Sequence, residues 1–246
     1  PMIHDFMITA TKIVIIVPPY RATAENDGAF VHLFEWKGHD PTQIIVINID
    51  DLTDGTYIDA DPFWVFHFGN AYDIGADEIG FDFALHDDPS FMTHDALAAM
   101  NGSWDGAASA ASRYVQARVD LRTKSAHLDK MPEIGQVEFI QTDRRENLSA
   151  HKYALMLAQP GGAAAFGFTQ LALVDRETGK TTSFDMGESE ILEEHLIVPK
   201  PDQSDAFWIV GTALDWKKGV TSLSIYEGAH LGNGPIMKAE LDIALP

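Results

Sequence analysis

Apolar residues recur along the chain in short runs, several of them strictly alternating, and each run is closed by Pro, Gly, Asp or Asn before a helical period can develop. The runs are KIVIIV at 12–17, TQIIVINID at 42–50, FWVFHF at 63–68, EIGFDFAL at 78–85, YVQARVDL at 114–121, FTQLALVD at 168–175, HLIVPK at 195–200, AFWIVGTALD at 206–215 and TSLSIYE at 221–227. Strands at this spacing predict an all-β fold of antiparallel neighbours: a sandwich, a barrel or propeller blades. DRETG at 175–179 and DWKKG at 215–219 predict hairpin turns. No linker divides the chain, so residues 1–246 predict a single domain. Its main interruption lies at 90–112, where THDALAAMNGSWDGAASAAS predicts a short helix or a loop excursion. No sharp sequence repeat is visible.

The run FWVFHF carries a histidine among aromatic residues. Strict alternation puts Phe63, Val65, His67 and Gly69 on one face and Trp64, Phe66, Phe68 and Asn70 on the other. On this reading Gly69 leaves its face uncrowded, as a ligand or metal beside the imidazole requires. A core histidine satisfied by a backbone carbonyl fits the same pattern.

Composition narrows the partners. A 46% hydrophobic chain can fill a core, and 17 basic against 37 acidic side chains give a formal charge of −20, which repels nucleic acid and anionic membrane surfaces. No apolar run approaches the ~20 residues that span a bilayer, and no leader pattern precedes the first strand. The absence of cysteine removes disulfides and thiolate metal sites and is compatible with the cytoplasm, so a metal would be held by His, Asp or Glu. Both ends break off within strand-like patterns, as expected of a piece of a longer protein. Serine-hydrolase elbows, phosphate-binding loops, His-Glu-x-x-His and dinucleotide fingerprints do not occur.

Of ten histidines, His4 and His67 stand in apolar, strand-like settings with room beside them. His86 and His94, with three aspartates nearby, read as a solvated loop, and the remaining histidines carry no assigned role. Two imidazoles aimed at one point can hold a first-row metal, and ligand histidines usually donate their other ring N–H to a carboxylate. Glu138 in GQVEFIQTD and Glu194 in ILEEHLIVPKP are the carboxylates placed beside apolar residues in β-rich stretches.

Together these residues resemble the carotenoid cleavage oxygenase family, the carotenoid and lignostilbene dioxygenases. His4-Asp5-Phe6 ahead of KIVIIV is similar to the family's histidine at the start of a strand. His67 followed by Asn70-Ala71-Tyr72-Asp73 resembles its second histidine motif, Glu138-Phe139 its Glu-Phe strand opening, and Glu194 with VPKP its Glu before Val-Pro-Arg-Pro. The resemblance implies a seven-bladed β-propeller, of which this chain covers roughly the C-terminal half without the last strand. It implies one non-haem Fe(II) held by four histidines, His4 and His67 among them. Glu138 would orient His67 through its Nδ1–H, and Glu194 would support a ligand this sequence does not contain. The implied reaction takes O2 and an apolar alkene, of apocarotenoid or stilbene type, to two carbonyl products. The other ligands would come from the missing part of the propeller or a second chain. Ile140 in place of a usual Pro, and His195 in place of the Pro after Glu194, mark a divergent member. Two rival readings remain: a non-catalytic propeller segment that binds an apolar ligand or partner protein, and a hydrolase with a divalent ion on Asp87 and Asp88.

Overall fold

The computed structural model describes residues 1–23, 33–106, 111–159, 167–241 and 243. His32 and most of the terminal LDIALP run lie outside the described residues. The chain is all-β, as the strand spacing predicts, and divides into two compact units.

The first unit comprises Pro1–Met131 with Leu148–Ala150. Its first sheet joins β1 (Met7–Ile8) and β2 (Lys12–Val17) to β5 (Thr42–Asn48) and β6 (Gly55–Ala60), and a two-stranded ribbon, β3 (Tyr20–Ala22) with β4 (Phe34–Trp36), interrupts it. Its second sheet runs β7 (Trp64–Asp73), β8 (Glu78–His86), β9 (Ser112–Asp120), β10 (Ser125–Met131). The excursion at 90–112 falls between β8 and β9 and carries a π-helical turn, Phe91–Asp95, continued by α1 (Ala96–Met100).

The second unit comprises Pro132–Asn147 with His151–Pro246. It holds β11 (Gln136–Thr142), β12 (Tyr153–Gln159), β13 (Gln170–Asp175) and β14 (Lys180–Asp185) in one sheet. The other sheet is β15 (Glu190–Pro199), β16 (Phe207–Asp215), β17 (Val220–Glu227) and β18 (Pro235–Glu240). Each four-stranded sheet is antiparallel and starts at one edge with its earliest strand, ending at the other with its latest.

The hydrophobic pattern explains both what folds and where it packs. Three middle strands are buried on both faces: β8 from Ile79 to His86, β12 from Ala154 to Ala158 and β13 from Leu171 to Val174. Val14 pairs with Val46 and Ile16 with Ile44, and their side chains join Phe63, Phe81, Phe83 and Val115 in the first unit's core. Leu155, Leu157, Leu171 and Leu173 meet Leu192, Ile197, Ile209 and Tyr226 in the second. Both predicted hairpins form. Asp175 and Asp215 each accept two backbone N–H groups of their own turn, and Gly179 (φ 71°) and Gly219 (φ 66°) take the left-handed conformation that closes it.

Thr42 ties the two sheets of the first unit at their junction. Its buried hydroxyl donates to the Phe63 carbonyl and accepts the Phe63 N–H, both at 2.9 Å. Thr42→Val leaves both backbone groups buried without a partner, so it should lower the unfolding free energy by about 1–3 kcal/mol in urea titrations. Thr42→Ser should retain most of the stability.

Candidate metal centre

His67 lies on β7, and β7 is not a regular strand. Val65 pairs with Leu85 and Phe68 with Phe83, so Phe66 and His67 together face the single residue Ala84. Phe68 pairs with Phe83 and Ala71 with Phe81, so Gly69 and Asn70 together face Asp82. Two β-bulges therefore interrupt the ladder within one strand. They overturn the strict alternation expected from sequence. Phe63, Val65, Phe68 and Ala71 share the core, and Phe66 and His67 are released from it half-buried.

The space expected beside Gly69 is filled. A Cβ at Gly69 would stand 2.6 and 2.7 Å from the carboxylate oxygens of Asp82, so this glycine makes room for Asp82 and not for a ligand. Asn70 reaches the other way. Its Nδ2 donates to the Ser149 carbonyl (2.8 Å) and its Oδ1 accepts the Leu148 N–H (3.2 Å), which holds the Leu148–Ala150 segment on this unit.

His4 precedes β1, the strand that packs beside β7. The buried Thr9 hydroxyl donates to Asp73 Oδ1 (2.7 Å) and accepts the Lys12 N–H (2.9 Å), so the end of β1 is fixed to the end of β7. At the other end the rings of His4 and His67 meet edge to face, centroids 5.0 Å apart and planes at 89°. Phe66 stands against His4 at 5.6 Å and against Trp64 at 5.2 Å, walling one side of the pair. Imidazoles that bind one ion at about 2.0–2.1 Å have ring centres roughly 4.5–5.5 Å apart, so the pair fits two neighbouring positions on a shared ion. The fit is partial: among the described residues no group of three or more His, Asp or Glu stands together to hold a metal.

The other predicted residues belong to the second unit, on the first strands of its two sheets. Glu138, on β11, is 2% exposed, and its Oε2 accepts the Phe139 N–H at 3.0 Å. Phe139 (φ 57°) and Ile140 form a bulge opposite Met156. Glu194, on β15, is exposed; with Glu193 it forms the bulge opposite Thr212, and the next residue, His195, is the buried one. Burial, with the Glu194 carboxylate beside it, pushes the Glu193 carboxyl up.

Other histidines depart from the surface reading. His86 ends β8 buried against Phe66 (5.2 Å), and His151 is buried with Arg176 at its Nδ1 (3.1 Å). Asp87 is engaged by Arg113 (2.5 and 3.1 Å) and Asp88 by the Ser90 N–H (2.8 Å), and among the described residues neither joins a group of three or more His, Asp or Glu that could hold an ion. Sequence reasoning passed over Asp82. Its one signal is a carboxylate within a run apolar enough to be buried on both faces.

His195 is 1% exposed, with Nδ1 on the Glu193 carbonyl (2.8 Å) and its ring over Gly211, where a Cβ would collide with it. Burial pushes its pKa down to about 4, so the fold holds it neutral. The unfolded chain takes up this proton near pH 6.5 and the folded chain only near 4. The resulting stability is therefore complete above pH 6.5 and lost as pH falls to 4, a change of about 3 kcal/mol. Urea titrations between pH 4 and 7 should show this loss, and His195→Leu should flatten that part of the profile.

Among the described residues no helix is long and apolar enough to cross a membrane. The sequence matches, over residues 1–246, the family model RPE65, described as retinal pigment epithelial membrane protein. Among solved structures it is similar to the lignostilbene dioxygenase of Pseudomonas brassicacearum, with a TM-score of 0.83 and 18% identity, covering 99% of this chain and 53% of that one. It is similar also to the cobalt-substituted apocarotenoid oxygenase of Synechocystis, with a TM-score of 0.84 and 18% identity, covering 100% of this chain and 51% of that one. An ACO/RPE65 chimera gives the same values, a TM-score of 0.84 and 18% identity over 100% and 51%. No curated protein sequence matches significantly. The chain spans about half the length of these structures. Its four-stranded sheets are blades of their β-propeller fold, of which the chain covers part. The chain thus belongs to the RPE65 family, the carotenoid oxygenases that its histidine and glutamate motifs resemble.

Proposed function

We propose that this chain is part of a non-haem iron dioxygenase that cleaves a C=C bond of an apocarotenoid or stilbene-type substrate. The observation that carries the reading is the meeting of His4 and His67, 63 positions apart in sequence, at 5.0 Å between ring centres. The dioxygenase and oxygenase names of the similar structures, one of them cobalt-substituted, agree with it.

In this reading His4 and His67 supply two neutral imidazole donors, and the remaining ligands come from a part of the propeller outside this sequence or from a second chain. Fe(II), when bound there, supplies the means to bring O2 into reaction with the alkene. Both oxygen atoms enter the cleaved double bond, one on each carbon, and two carbonyl products leave. Phe66 covers one side of the histidine pair with an apolar ring, while His4 itself is exposed. By the family resemblance Glu138, a buried carboxylate, would accept the Nδ1–H of a ligand histidine, and Glu194 would support a ligand outside this sequence. The cysteine-free composition suits the cytoplasm.

A second reading, a non-catalytic propeller segment that binds an apolar ligand or a partner protein, is favoured by the lack of a three-donor group among the described residues. Iron content separates the two. In the complete protein, reconstituted anaerobically with Fe(II), elemental analysis should find about one iron per chain, and His4→Ala or His67→Ala should abolish it. Full iron content and turnover in either variant would contradict the oxygenase assignment, and an iron-free wild type would favour the second reading.

A further inference from the structure

We propose that Asp82 is a positioning residue for His67: its carboxylate fastens the second bulge of β7 and so fixes where the imidazole points. The proposal rests on the reading of His67 as a metal ligand. Asp82 is completely buried on β8, opposite the Gly69–Asn70 bulge. A bulge leaves an amide outside the regular ladder, and here the carboxylate takes it: the Asn70 N–H donates to Asp82 Oδ1 at 3.0 Å. The Tyr114 hydroxyl, from β9, donates to Oδ2 at 2.8 Å, which sets the carboxylate from the far side. The same group lies over Gly69, where a Cβ would come within 2.6 Å of it.

The chain of contacts runs from the middle of the sheet to the candidate ligand. Tyr114 holds Asp82, Asp82 holds the Asn70 amide over a side-chain-free Gly69, and His67 is the residue immediately before the Phe68–Gly69 step. Phe68 is anchored in the core on the opposite side. His67 is thus held between a core anchor and a bulge whose geometry depends on one buried carboxylate. Loss of that carboxylate frees the bulge to slip back toward the regular ladder, and a one-residue slip turns side chains to the other face.

The test uses the complete protein, with two readouts: the through-space NMR contact between the His4 and His67 rings, and the affinity for Co(II) followed by visible absorption. In Asp82→Ala the ring contact should vanish and Co(II) affinity should fall on the order of tenfold or more, with the β-sheet circular dichroism kept. Asp82→Asn should rescue both, because its amide can still accept from Asn70 and can donate to the Tyr114 oxygen. A folded Asp82→Ala with unchanged ring contact and Co(II) affinity would overturn the proposal, and so would failure of the Asn variant to rescue. If Asp82→Ala does not fold, Gly69→Ala carries the test, since its methyl can be seated only by displacing the carboxylate or the strand. An intact ring contact in that variant overturns the proposal too. A complete wild-type protein that shows the ring contact yet binds no Co(II) contradicts the metal reading instead, and the ring contact still reports on Asp82.

Discussion

Phe66 and His67 face one residue of β8, Ala84, and this mismatch decides where the imidazole of His67 can go. A regular strand would send every second side chain into the core. Here the residues that reach the core are Phe63, Val65, Phe68 and Ala71, at intervals that a period of two cannot supply. Each large apolar side chain so buried contributes roughly 1.5–3 kcal/mol, more than the ladder bonds that a bulge disturbs, so the strand takes up the extra residues. The imidazole and the Phe66 ring are what the core does not claim. The packing of β1 beside β7, with the Thr9–Asp73 hydrogen bond at the other end, then brings His4 to the same place.

The same device recurs. β11 carries a bulge at Phe139–Ile140, beside Glu138, and β15 carries one at Glu193–Glu194. Each motif residue thus belongs to, or directly precedes, the first strand of a four-stranded sheet, and three of these four strands are bulged at the motif. The regularity is architectural and leaves no trace as a sequence repeat, because the shared feature is an extra backbone residue and not a side-chain type. The departure at His195 belongs to the same frame: the bulge turns Glu194 outward and a neutral histidine inward onto Gly211.

How much of this the sequence discloses follows from burial. The inner and middle strands, such as β2, β5, β8 and β16, stand out because their apolar runs are dense. The last strand of each sheet, β6, β10, β14 or β18, is half exposed and reads as polar; only β14 was signalled, through the turn before it. β12, YALMLAQ, is rich in residues that favour helices and takes its extended form from its two neighbours in the sheet. At the candidate site, the histidine motifs picked out His4 and His67, whose rings meet. Alternation misplaced Phe68 and read Gly69 as open space, since a bulge shows itself only through pairing partners far along the chain. Asp82, the residue that fills that space, stood in plain view inside a strand, but its hydrogen bonds to Asn70 and Tyr114 are tertiary facts.

The central claim is that His4 and His67 converge on one ion. The most direct measurement is histidine ring NMR of the complete protein during stepwise addition of Co(II). The account predicts that the His4 and His67 resonances shift together, along one saturation curve, ahead of the other histidines of residues 1–246. Separate curves for the two rings, or no response from either, would contradict it.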